Sequence, residues 1–185
     1  MTQISLNSIG SINKRLLSAL LAVSLLALLA VIIFSHAPVV SAGNGPGPVM
    51  KLTVDSIKGD IDATAFSWQV DNKPVNNGGG GGGKPTFSDL EITAKSGPGS
   101  VRLFQMASSG EHIKKVSLTV DQPNGGTLTI NLEDVLVTSY GNSAADDNNS
   151  TFDQLSLDYA KIVLQYNGGG GNWTGGWDIK NNKKL

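Results

Sequence analysis

The chain contains no cysteine, which removes disulfides, thiolate metal sites and cysteine nucleophiles together. Histidine is nearly absent as well. His36 lies in the N-terminal region, so His112 stands alone in the rest of the chain and cannot assemble a multi-histidine metal centre. Aromatic residues make up only 6% of the chain, which leaves aliphatic side chains to build the core. Basic residues are not in excess either. Lys14 and Arg15 are the only charges in the first 42 positions, so the remainder sets twelve basic residues against fifteen acidic ones. A nucleic-acid partner would need a basic stripe, and none exists.

What is present begins with an export signal. Met1–Arg15 is polar and carries those two positive charges, Leu16–Phe34 is almost wholly apolar, and Val40-Ser41-Ala42 offers small residues at a cleavage position. That order reads as a secretory signal peptide cut between Ala42 and Gly43. The apolar run also approaches the length of a membrane span, so a retained N-terminal anchor is the second reading. The positive flank keeps Met1–Arg15 cytoplasmic in both cases. The rest of the chain is then exported: secreted, surface-bound or periplasmic, touching the membrane only through this segment if it stays uncut. The expected organisation is 1–42 signal or anchor, 43–49 Gly/Pro linker and 50–185 a single domain.

Within 50–185 the period is that of strands. Met50, Leu52 and Val54 alternate with polar residues. Ile61–Val70 reads as a second strand, with Ala63, Ala65, Ser67 and Gln69 on one face and Thr64, Phe66, Trp68 and Val70 on the other. A loop with an unbroken glycine run, Gly78–Gly83, follows. Thr86–Lys95 is a third strand whose uneven apolar spacing suggests a bulge or bend near Asp89. Val101–Ser108 is the one good helix, closed by Gly110. Ile113–Val120 and Thr127–Leu132 are strands joined by Q-P-N-G-G, a strong turn signal, and Val135–Tyr140 is another. Ser143–Ser150 reads as a polar loop, Leu155–Tyr166 as two strand segments and Trp177–Ile179 as a last short strand. Many short strands, one helix and glycine-rich turns indicate a mainly β domain, a barrel or sandwich.

Candidate chemistry is thin. Gly78 and Gly83-Lys84 fit the start of a phosphate-binding loop, but Pro85 stands where Ser or Thr would hold magnesium. Asp146, Asp147, Asn148, Asn149, Ser150 and Asp153 form an oxygen-rich stretch without the glycine and terminal glutamate of a calcium loop, and a solvated turn is the better reading. His112 near Ser108 and Ser109 lacks a nucleophile-elbow motif. Glu91, Glu133 and Asp134 have no spacing that selects a glycosidase pair. No catalytic residue, metal or cofactor is expected. Trp173 and Trp177, set among glycines, favour two readings: barrel closure, or stacking on sugar in a surface-anchored binding module or adhesin.

Several blocks occur in one order. They are I-K-G-D-I-D at Ile57–Asp62, F-S-W at Phe66–Trp68, and a glycine run leading into F-S-D-L at Phe87–Leu90. L-F-Q-M-A-S-S-G-E-H-I at Leu103–Ile113, L-E-D-V-L-V-T-S-Y at Leu132–Tyr140 and G-W-D-I-K-N-N-K at Gly176–Lys183 follow. Together these resemble the haemolysin-coregulated protein (Hcp) family, whose members form the inner tube of bacterial type VI secretion machines. The resemblance implies a β-barrel of two packed antiparallel sheets with one short helix. It implies assembly into a homohexameric ring that can stack, a lumen able to take small protein cargo, and no catalytic residues. It also implies that the extended loop Asp71–Pro85 contributes to packing between copies, with Asn76, Asn77, Gly78, Gly83, Lys84 and Pro85 as interface residues. Two departures stand out. The passage Lys58-Gly59-Asp60-Ile61 between the first two strands is short, and an export signal is not needed by a subunit that assembles in the cytoplasm. The expected molecule is therefore an exported, ring-forming relative of the tube and effector proteins.

Overall fold

The computed structural model describes residues 48–72, 83–123, 125–145 and 150–185. Ten strands and one helix occur among them: β1 (Val49–Val54), β2 (Ile61–Ser67), β3 (Val70–Asp71), β4 (Thr86–Phe87), β5 (Leu90–Lys95), α1 (Pro98–Ser109), β6 (Ile113–Asp121), β7 (Thr127–Ala145), β8 (Ser150–Gly168), β9 (Gly171–Asp178) and β10 (Lys183–Lys184). The main sheet runs β10-β9-β8-β5-β2-β1-β6-β7, and β7 pairs again with β8. That second pairing closes six strands into an antiparallel barrel. The two packed sheets expected from the sequence are opposite walls of this one closed sheet. The pair β3–β4 forms a separate ribbon. The described residues all fall in the compact unit Gly43–Leu185.

Alternation in the sequence produces the core. Leu52 and Val54 of β1, Leu90, Ile92 and Ala94 of β5, and Val116, Leu118 and Val120 of β6 point inward and are buried. Ile130 and Leu132 of β7 and Leu155 and Leu157 of β8 meet them from the other wall. Each such side chain contributes about 1.5–3 kcal/mol on leaving water. The helix lays Leu103 and Met106 against the barrel.

Several expected boundaries move, each for a visible reason. The second strand breaks after Ser67, and a bulge between Ala63 and Ala65 shifts its register against β5. Ala63 is therefore buried while Ala65 is exposed, and the single face expected for Ala63, Ala65, Ser67 and Gln69 does not exist. The third strand is two pieces, β4 and β5, separated at Ser88–Asp89. The Ser88 N–H donates to the Gln69 carbonyl and the Gln69 N–H to Ser88 Oγ, both at 2.9 Å, which holds the break, and the Tyr159 hydroxyl donates to the Ser88 carbonyl at 3.0 Å. The helix starts a turn before Val101 because Pro98 suits a first helical position, and the Gly97 N–H donates to Ser100 Oγ at 2.9 Å. It stops at Gly110, in the left-handed region at φ 66°.

The expected strands 127–132 and 135–140 are one strand, as are the two segments within 155–166. Together β7 and β8 make a long hairpin whose register runs from Thr127↔Asn167 to Ala145↔Ser150. Of the expected loop 143–150, residues 143–145 and 150 are strand and 146–149 lie outside the described residues. Buried positions change phase by one residue along this hairpin, between Leu132 and Val135 on β7 and between Tyr159 and Ile162 on β8. Asp134, at φ 55°, sits at the change. A second irregularity lies between Val137 and Ser139, where Thr138 Oγ1 donates to Asp89 Oδ2 at 2.6 Å. The Q-P-N-G-G turn is present, with the Gln122 N–H donating to the Gly126 carbonyl at 2.7 Å. Strand β1 begins beside the end of β6, Val49 opposite Asp121. Among the described residues no helix is long and apolar enough to cross a membrane.

Candidate assembly site

The expected site residues divide in two. Ala42, Gly43, Asn76, Asn77 and Gly78 lie outside the described residues. Gly83, Lys84 and Pro85 are the root of the glycine loop, immediately before β4. Gly83 and Pro85 line a hollow of about 570 Å³ with Val70, Phe87, Trp177 and Asn182. Sequence-distant parts thus meet there, the loop root and the G-W-D-I-K block. The indole N–H of Trp177 is buried and has no hydrogen-bond partner among the described residues.

Among the described residues, the two longest stretches of strand that pair on one side only lie on β7 and β9. On β7, residues 127–135 pair with both β6 and β8, but Leu136–Ala145 pair with β8 alone. On β9, Gly171–Gly176 pair with β8, and β10 covers only Trp177 and Asp178. The two open edges lie towards opposite ends of the long hairpin. Beside the β7 edge, α1 presents Val101 and Phe104, which are 65% and 56% exposed, and Phe104 packs edge-on against Tyr140 with ring centres 6.1 Å apart. Backbone groups without ladder partners next to uncovered apolar side chains are what a protein–protein contact consumes.

Of the residues weighed for chemistry, His112 and Asp134 meet, while the serines bond elsewhere. His112 Nδ1 lies 2.7 Å from Asp134 Oδ1, and both side chains are more than half exposed. Ser108 and Ser109 donate instead to the helix carbonyls of Phe104 and Met106. Glu91 accepts from Ser156, and Glu133 from Lys161 at 2.8 Å. No group of three metal-ligating side chains occurs among the described residues.

Asp153 corrects the reading of a solvated oxygen-rich turn. It is fully buried. Its Oδ1 accepts from Ser96 Oγ at 2.9 Å, Asn142 Nδ2 at 2.9 Å and the Tyr140 hydroxyl at 3.1 Å, and its Oδ2 from Ser100 Oγ at 2.5 Å. Burial works against its charge, but the donors from Ser100, Asn142, Ser96 and Tyr140 together hold the carboxyl below its ordinary range. The network ties the first turn of α1 to the β7–β8 hairpin beside the open edge. The signal was in the sequence, since Asp153 is in phase with the inward residues Leu155, Leu157 and Tyr159.

A family model described as "Type VI secretion system effector, Hcp" matches residues 51–166, more than half of the chain. Solved structures share the fold. Hcp1 from Salmonella typhimurium superposes with a TM-score of 0.66 at 22% identity, covering 76% of this chain and 100% of that one. A type six secretion system protein gives 0.68 at 20% identity with the same coverage. A type VI secretion system effector from Yersinia pestis gives 0.58 at 21% identity, over 70% of this chain and 98% of that one. No curated protein matches the sequence.

Proposed function

Because the chain belongs to the Hcp family of type VI secretion system effectors, we propose that it is an exported structural protein whose copies close into a hexameric ring. The observation that supports this most directly is the pair of open strand edges towards opposite ends of one hairpin. Edges at different places on one subunit favour a head-to-tail contact, and head-to-tail contacts generate rings when the rotation closes. Uncovered Val101 and Phe104 beside one edge supply the apolar part of such a contact. The loop root Gly83–Pro85 is a second surface for packing between rings, and the ring's lumen would admit small protein cargo. The N-terminal segment, cut after Ala42 or retained as an anchor, accounts for export. This assembly has no catalytic step.

The test is the solution mass of residues 43–185 by light scattering after size exclusion. A discrete species of six subunits is expected, and Phe104→Asp should shift it to lower mass. A monomer at every concentration would rule out ring formation by this domain.

A further inference from the structure

The β8–β9 tip carries an aromatic surface that the barrel does not use. Trp173 on β9 is 56% exposed and stands opposite Tyr166 of β8, with ring centres 5.9 Å apart and planes tilted by 39°. Glycines floor both rings. A methyl group on Gly171 would come within 2.8 Å of the indole, and one on Gly126 would overlap the Tyr166 phenol. Gly168, at φ 153°, completes the floor beneath the phenol. The rings lie against bare backbone and leave the indole's outer side to solvent.

The surroundings narrow the ligand. From Gln122 to Leu132 and from Ile162 to Trp177 there is no charged residue. Asn167 and Asn172, paired beside the rings, are exposed on the opposite face of the sheet. Flat aromatic faces suit the axial C–H groups of equatorially linked pyranoses. A neutral surround gives no hold on an acidic polymer.

We propose that Tyr166 and Trp173 form a binding platform for a neutral, β-1,4-linked glycan. Gly171 acts as a positioning residue by letting the indole lie flat.

The test uses full-length protein in a detergent without a sugar headgroup, titrated with cellohexaose and chitohexaose and followed by tryptophan fluorescence and calorimetry. Saturable binding of at least one is expected. Trp173→Ala should weaken it at least tenfold, Trp173→Tyr should restore part of it, and Gly171→Ala should weaken it severalfold, with melting temperatures within about 2 °C of wild type for the exposed Trp173 variants. Absence of binding to both oligosaccharides at millimolar concentration overturns the proposal. So does unchanged binding by Trp173→Ala, a fall in oligomer mass on that substitution, or binding of phosphatidylcholine vesicles through Trp173 with no response to either sugar. Those last two results would assign the indole to a subunit contact or to a lipid surface.

Discussion

Asp153 shows how much a single side chain can organise. Four donors from three segments converge on it, so Asp153→Ala strands them in a dry site. The expected cost is about 2–3 kcal/mol, read from urea unfolding. Its titration has a defined sign. Because the folded carboxyl sits below its ordinary value, its contribution is complete above the unfolded value of about 3.9 and is lost as pH falls through the lower, folded one. Wild-type stability should therefore drop steeply below about pH 4, and Asp153→Asn should flatten that limb. Tyr159 behaves oppositely to an exposed tyrosine. Burial, then the nearby charges of Asp89 and Asp158, push its hydroxyl up to about 12. Tyr159→Phe loses the bond that fixes the β4–β5 break and should cost about 1 kcal/mol.

At the scale of elements, what could be read in the sequence depended on whether local rules decided it. The turn at Gln122–Gly126, the helix stop at Gly110 and the alternation of β1 and β6 follow from short-range chemistry and are present in the structure. Tertiary pairing decided the rest. Nothing local says that Leu132–Tyr140 and Leu155–Tyr166 run unbroken against each other, because a polar pair, Glu133–Asp134, interrupts the apolar period at the point where the buried face changes. The bulge in β2 likewise depends on its partner β5. For the candidate site, the closing block and the loop root were legible as segments, while their meeting at Trp177 was not. Asp134 offers a direct check. A β-branched residue is strained at φ 55°, so Asp134→Val should destabilise by about 1–3 kcal/mol, whereas Asp134→Gly should be tolerated. Thermal melts distinguish the two.

For the whole molecule, six strands close into a barrel, and the longest open edges among the described residues lie on β7 and on β9. The first described strand, β1, begins opposite the last residue of β6, at the same end as the β6–β7 turn and the β8–β9 tip. Cyclic symmetry contains no operation that exchanges the two faces of a ring. Every copy would therefore release its N-terminal segment at one height along the axis, and the assembled object would have a front and a back. A segment 1–42 left uncut would tether such a ring in a fixed orientation, and cleavage after Ala42 would free that face for the next ring, so processing would decide whether a disc can become a column.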